Sequence, residues 1–316
     1  VIEPARRHLL PADAMTELEH APALDPQRLI CDAATLAAWR DDPSRRVVVV
    51  DVSFDLADPA AGERAYAQER LPGAFYAHLD RDLSAPKSAG RDPRGRHPLP
   101  DREVFARAVA AWGIRPQSQV VVYDRQGAMF AVRLWWMLRW LGHDTVAVLD
   151  GGLPAWRAFG QALETGAPSA RPDAGAAPYP ASRPTVPTIE AGALQHALGR
   201  VRLVDARAPE RFRGEVEPLD PVAGHIPGAM NRFFQQNLQG DGRFKSPAEL
   251  RRELEPLLRP AGAAADDPVV HQCGSGVTAC HNVLAQAVAG LGLGTLYPGS
   301  WSEWCADPAR PVARGG

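Results

Sequence analysis

The feature that most narrows what this chain can fold into is an internal repeat. An apolar run, Val47-Val48-Val49-Val50, ends at Asp51, and Val201-Arg202-Leu203-Val204 ends at Asp205. Leu71-Pro72-Gly73-Ala74 follows the first run, and Ile226-Pro227-Gly228-Ala229 follows the second. Next come Val120-Val121-Val122-Tyr123-Asp124 and Val269-Val270-His271-Gln272-Cys273. Each half closes on a glycine turn and a tryptophan, Gly151-Gly152-Leu153-Pro154-Ala155-Trp156 and Gly299-Ser300-Trp301-Ser302-Glu303-Trp304. Asp124 and Trp156 are 32 positions apart, Cys273 and Trp304 31. Four landmarks in one order at near-equal spacing imply tandem duplication of one domain.

The β-branched runs are short and bounded by turn residues, as buried parallel strands are. Helical spacing of apolar residues appears at 101–109, 132–141, 247–258 and 278–289. Strands alternating with helices predict an α/β fold, with a mostly parallel, doubly wound sheet in each half. Residues 166–188 hold six prolines among small residues, which excludes helix and central strand and predicts an extended surface linker. The expected plan is an N-terminal extension at 1–26, a first domain at 27–165, the linker, and a second domain at 189–316. Residues 1–14 read as an added segment ahead of Met15.

Composition bounds the function. A net charge of −2 offers no basic excess for nucleic acid. No apolar run approaches a membrane span, and no apolar stretch follows the N-terminal arginines to make a secretory signal. A cytoplasmic protein is expected. Four cysteines in 316 residues do not make a disulfide framework. They lack metal-ligand spacing, and no GxxxxGK[ST] loop appears, so neither metal nor cofactor is expected.

The chemistry is expected at Cys273-Gly274-Ser275-Gly276-Val277-Thr278-Ala279-Cys280. Cys273 ends a strand, where open α/β sheets place their ligands. Gly274 and Gly276 allow a tight turn that aims backbone N–H groups at one point, ahead of a helix N-terminus. Such a cradle favours thiolate over thiol and would hold a sulfur anion carried on Cys273. The bland alternative is a buried cysteine before a strand–helix turn. Its counterpart in the first half is Asp124, so the pair reads as one active and one inactive copy. A cysteine phosphatase would need an arginine six residues on to clamp phosphate, and that position is Ala279.

These motifs resemble the tandem-domain sulfurtransferases, the rhodanese and 3-mercaptopyruvate sulfurtransferase group. The resemblance covers residues 27–312 and rests on Cys273–Ala279, Gly224-His225-Ile226-Pro227-Gly228-Ala229, Leu149-Asp150-Gly151-Gly152 and the closing Gly299–Trp304 segment. It implies two rhodanese-like domains, the second catalytic. Cys273 would take sulfane sulfur from a small anionic donor and pass it to cyanide or a thiol, or to a thioredoxin-like reductant. A persulfide carrier serving a partner protein is the alternative. Thiosulfate-type loops look like Cys-Arg-Lys-Gly-Val-Thr and mercaptopyruvate-type loops like Cys-Gly-Ser-Gly-Val-Thr, the form present here. Ser275 is similar to the family's donor-activating serine, and Arg211 to its substrate-binding arginine.

Two departures stand against the mercaptopyruvate pattern. The second arginine past Arg211 is absent from Glu215-Val216-Glu217-Pro218-Leu219-Asp220, and the histidine expected before Leu71-Pro72-Gly73 is Arg70. The serine–histidine–aspartate relay is therefore not expected, thiosulfate competes as donor, and Arg70 stands as a candidate cleft cation. The basic loop 84–100, with Lys87, Arg91, Arg94, Arg96 and His97, either overhangs the site or is a solvated loop. Cys280 reads as a partly buried helix residue rather than a resolving thiol, and His225 as structural. Trp135, Trp136 and Trp140 read as core or interface.

Overall fold

A computed structural model describes residues 28–87, 92–166, 177–260 and 267–316. The N-terminal extension and residues 167–176 of the linker lie outside the described residues, as does Arg91. The first half runs β1 (Ile30–Cys31), α1 (Ala33–Asp41), β2 (Val47–Asp51), α2 (Ala61–Gln68), β3 (Phe75–Tyr76), α3 (Leu79–Asp82), α4 (Arg102–Ala111), β4 (Gln119–Tyr123), α5 (Ala131–Trp140), β5 (Val146–Leu149) and α6 (Gly152–Ala158). The second runs α7 (Ala191–Ala197), β6 (Arg202–Asp205), α8 (Pro209–Arg213), β7 (Met230–Asn231), α9 (Pro247–Leu258), β8 (Val269–Gln272), α10 (Ala279–Val288), β9 (Thr295–Leu296) and α11 (Ser300–Trp304), with a 3-10 turn at Phe234–Asn237. All four helices read from periodicity form, within a residue or two of their expected ends.

Both sheets are parallel. The first has strand order β1-β5-β4-β2-β3 and the second β7-β6-β8-β9. With β6, β7, β8 and β9 as the copies of β2, β3, β4 and β5, the orders coincide. The copy of β1 shrinks to a single parallel bridge from Thr188 to Leu296. Gly127 after β4 and Gly276 after β8 take the same left-handed turn, at φ 65° and 75°. The duplication read from spacing is thus a duplication of topology and of loop conformation.

Alternation along the strands sorts the core. Val48, Val50, Val120 and Val122 face a central cluster that also takes in α4, α5, α9 and α10, while Val49 and Val121 face an outer layer with Tyr66 and Trp156. A second outer layer packs Leu203 and Val270 against Trp301 and Trp304. The central cluster is continuous from the first sheet to the second, and α5 packs on α10 across it. Trp135 and Trp136 are wholly buried there and Trp140 lies partly buried against them, so these are core residues. The described part of the linker is not loose. Tyr179 and Val186 are buried in the same cluster, and Tyr179 donates its N–H to Ala106 O at 3.0 Å.

Candidate active site

The Cys273 loop lies between the domains, wrapped by three segments. The closing motif makes the floor. Trp301 N–H donates to Cys273 O at 3.0 Å and Ser302 N–H to Gly274 O at 2.9 Å. Cys273 N–H donates to Ser300 Oγ at 3.1 Å, and Ser300 itself is held at φ 53°. A non-glycine residue in that region costs about 1–3 kcal/mol and persists only where its surroundings dictate it. Gly276 fits for steric reasons as well, because a Cβ there would stand 2.2 Å from Pro298 O. Cys273 itself is 2% exposed.

The first half shows what this turn does with an anion. Asp124 is wholly buried, and its carboxylate accepts backbone N–H groups from Gln126, Ala128, Phe130 and Ala131 at 2.8, 2.9, 2.8 and 3.0 Å. Those amides correspond to Ser275, Val277, Ala279 and Cys280 in the second copy. A carboxylate oxygen lies two bonds beyond Cβ, as the outer sulfur of a cysteine persulfide does. The turn therefore aims four amides at one acceptor, filled in the first domain by the Asp124 carboxyl, which burial holds above the usual carboxylate range against the pull of those amides.

Residues 92–100 of the basic loop cross from the first domain onto the Cys273 loop. Ser275 Oγ lies 2.7 Å from His97 Nδ1, and His97 Nε2 lies 3.5 Å from Asp80 Oδ1. Burial holds His97 below its ordinary pKa, against the pull of Asp80. A neutral ring with its proton on Nε2 accepts from the Ser275 hydroxyl and turns its N–H to the carboxylate. Hydrogen bonding from His97, with Lys87 2.7 Å from the same oxygen, holds Asp80 below the usual carboxylate range. Ser275, His97 and Asp80 thus stand in the order of a serine–histidine–aspartate relay, an arrangement not expected from Arg70. The histidine expected before Leu71-Pro72-Gly73 stands instead at His97.

Arg70 is not in the cleft. Its side chain is wholly buried in the first domain, where it pairs with Glu164 at 2.8 Å, donates to Gly166 O at 2.9 Å and lies over the Tyr66 ring. It pins the chain where Arg70 and Glu164 bridge, so its candidacy as a substrate-binding cation is withdrawn. Arg211, on α8, does reach the loop. Its Nη1 and Nη2 lie 3.6 and 3.7 Å from where a Cβ on Gly274 would be, and it is held by Glu217 at 2.6 Å and Asp220 at 3.5 Å.

Three further cations meet here, of which the sequence reading named only Arg96, as one charge of the basic loop. Arg96 comes closest to the loop, with Nη2 2.6 Å from that same Gly274 Cβ position and Nη1 on Asp220 Oδ1. Arg207 is clasped by Asp205 at 2.6 Å and Glu217 at 3.4 Å and lies over the Trp301 ring. Arg133, wholly buried on α5, donates to three carbonyls, Gly276 O at 3.1 Å, His97 O at 3.0 Å and Leu83 O at 3.3 Å. It ties the Cys273 loop to the relay from the far side of the interface. Arg96 and His97 stood in the basic loop flagged by composition. Arg133 and Arg207 stood among core residues and gave no signal.

The remaining candidates are quieter. Arg94 pairs with Asp92, with a side chain 54% exposed, and belongs to the solvated part of its loop. His225 stacks on Phe212 and bonds its carbonyl, a structural role. Cys280 is wholly buried rather than partly so, its thiol on Gly276 O at 3.4 Å, and burial pushes that thiol up to about 12. No group of histidine, cysteine and carboxylate side chains among the described residues could hold a metal ion. No helix among them is long and apolar enough to cross a membrane. A cleft of about 290 Å³ opens beside the relay, lined in part by Phe54, Asp80, Arg96, His97, Leu219 and Ser302.

Comparison with known proteins agrees with this geometry. A model of the rhodanese-like domain matches twice, at residues 32–159 and 190–307. A Pseudomonas aeruginosa protein named "Probable 3-mercaptopyruvate sulfurtransferase" is 51% identical over 286 residues, 90% of this chain and 97% of that protein. The rat thiosulfate sulfurtransferase is 33% identical over 292 residues, 90% of this chain and 93% of its own. The structure of 3-mercaptopyruvate sulfurtransferase from Leishmania major superposes with a TM-score of 0.71 at 31% identity, over 89% of this chain and 75% of that one. The chain belongs to the rhodanese-like domain family and is a tandem-domain sulfurtransferase.

Proposed function

We propose that 3-mercaptopyruvate is the preferred sulfur donor, that Cys273 is the nucleophile, and that the second domain carries the chemistry. The observation that carries this reading is the 2.7 Å contact between Ser275 Oγ and His97 Nδ1, beside the Cys273 loop. Thiosulfate presents an outer sulfur without a proton and needs only cations. A mercaptopyruvate thiol carries a proton that must move, and a serine backed by a neutral histidine moves it.

In the first step the Cys273 thiolate attacks the donor sulfur. An S–S bond forms, the C–S bond breaks, and its electron pair goes to carbon as the enolate of pyruvate. The donor's thiol proton passes through Ser275 and His97 and ends on that carbon. Pyruvate leaves, and the Cys273 persulfide anion remains in the cradle of Gly274, Ser275, Gly276, Val277 and Thr278. In the second step cyanide or a thiolate bonds the outer sulfur, and Cys273 departs as thiolate. Arg211 binds the donor carboxylate. A thioredoxin-like dithiol has the right chemistry to serve as acceptor. All four cysteines are free thiols, which suits a reducing, cytoplasmic setting.

The test is kcat/KM for sulfur transfer to cyanide from each donor under one set of conditions. Mercaptopyruvate is expected to exceed thiosulfate by about tenfold or more, 1.4 kcal/mol of transition-state preference. A preference for thiosulfate would overturn the donor assignment, and turnover surviving Cys273→Ser would overturn the nucleophile.

A further inference from the structure

We infer that Arg96, reaching across from the first domain, supplies the cation beside Cys273 that a thiosulfate-type loop carries on the residue after its cysteine, and that position 274 is glycine to admit it. The inference deepens the donor-binding part of the reading above and assigns a residue to it.

Gly274 follows Cys273 directly, at the position where the other loop type has arginine. Here the volume above its Cα is occupied, since a Cβ would meet Arg96 Nη2 at 2.6 Å. A side chain at 274 would push the Arg96 guanidinium out of that volume, so a glycine there lets the cation arrive from the other domain. The fork is aimed at both ends. Arg96 N–H donates to Ser302 Oγ at 3.0 Å, which fixes its backbone on the closing motif. Its Nη1 sits on Asp220 Oδ1, a carboxylate 1% exposed, which turns Nη2 toward Gly274. The neighbouring Gly95 takes φ 98°, and a Cβ there would lie 2.8 Å from Gly299 O, so this backbone is also built for close approach.

The pair accounts for the arginine missing from the segment 215–220. That segment lacks the base but ends in Asp220, and Arg96 of the other domain stands opposite it. Arg96, Arg207 and Arg211 meet Asp205, Glu217 and Asp220, three cations against three carboxylates. Such a cluster presents oriented N–H forks with little net field. It suits a singly charged carboxylate better than a dianion, which would leave two charges unmatched instead of one.

The test uses two alkylating agents of similar size, anionic iodoacetate and neutral iodoacetamide, on the resting full-length protein. A cation beside the thiolate raises the iodoacetate rate relative to the iodoacetamide rate. Arg96→Ala is expected to lower that ratio at Cys273 about tenfold, with the iodoacetamide rate unchanged, a difference of about 1.4 kcal/mol. Gly274→Ala is expected to lower it as far by displacing the guanidinium, and the double variant no further. Arg94→Ala, in the exposed part of the loop, is expected to keep the wild-type ratio. A wild-type ratio in Arg96→Ala, or equal loss with both reagents, would overturn the inference, as would additive loss in the double variant. The ratio requires no turnover. If it falls as expected while mercaptopyruvate proves a poor donor, the donor assignment fails and the placement of Arg96 stands.

Discussion

Replacing Ser275 with alanine separates the two donors. The substitution removes one oxygen, and with it the 2.7 Å contact to His97 Nδ1, while Arg211 and the backbone cradle stay in place. A positioned proton-transfer group contributes about 10²–10⁴ in rate. At the lower end, kcat for mercaptopyruvate falls about a hundredfold, or about 2.7 kcal/mol of barrier. Thiosulfate brings no proton, so its kcat is expected to fall less than about threefold. The buried His97 loses a partner at Nδ1, which costs about 1 kcal/mol of stability, and a thermal melt checks that the variant is folded. The assay is a single-turnover burst, reading pyruvate from one donor and sulfite from the other. Equal loss with both donors, or no loss with mercaptopyruvate, would refute the assignment of Ser275 and His97 to proton transfer. Asp80→Asn is expected to lie between, because the ring keeps its place but loses the charge facing Nε2.

Other perturbations have definite signs. Asp124→Asn puts an NH₂ group where one carboxylate oxygen now accepts two amides, leaving two buried donors unpaired; a loss of about 2–4 kcal/mol is expected, and denaturant unfolding measures it. Arg70→Met is expected to lower the melting temperature without changing KM for either donor, because Arg70 is buried away from the cleft. Asp220→Asn removes one negative charge from between Arg96 and Arg211, and the ratio of thiosulfate to mercaptopyruvate kcat/KM is expected to rise. His271 and His281 are held by burial at about 4, below their ordinary 6.5, so both fold as neutral rings. The unfolded chain binds the extra protons, so their stability is complete above pH 6.5 and lost as pH falls toward 4, at about 1.4 kcal/mol per unit per group. Melts from pH 7.5 to 4.5 should show that decline.

Much of the molecule was legible in the residue order because its signals are local. A β-branched run bounded by turns announces a buried strand, and the repeat announces that the strand order recurs. The Cys273 loop could be read because its chemistry sits within seven consecutive residues. The relay could not, since Ser275 and His97 are 178 positions apart and meet only when the sheets share a core. The family pattern drew attention to Arg70, whose side chain is instead bound within its own domain by Glu164 and Gly166. Arg96 and Asp220 misled separately, one as a loop charge and one as a missing base, because a pair exchanged across a cleft is visible only in space.

The central cluster that joins the two sheets has a consequence for how the halves live together. Its apolar surface belongs to neither alone: α5 and α10 would each face water if the other were removed. The two domains are expected to unfold in one calorimetric transition, and neither half to survive as an expressed fragment. The first copy holds Asp124 where its twin has a thiol, yet it brings His97, Asp80 and Arg96 up to the Cys273 loop. The copy without the thiol thus stands as the far wall of the site, fixed there by the core that both sheets share.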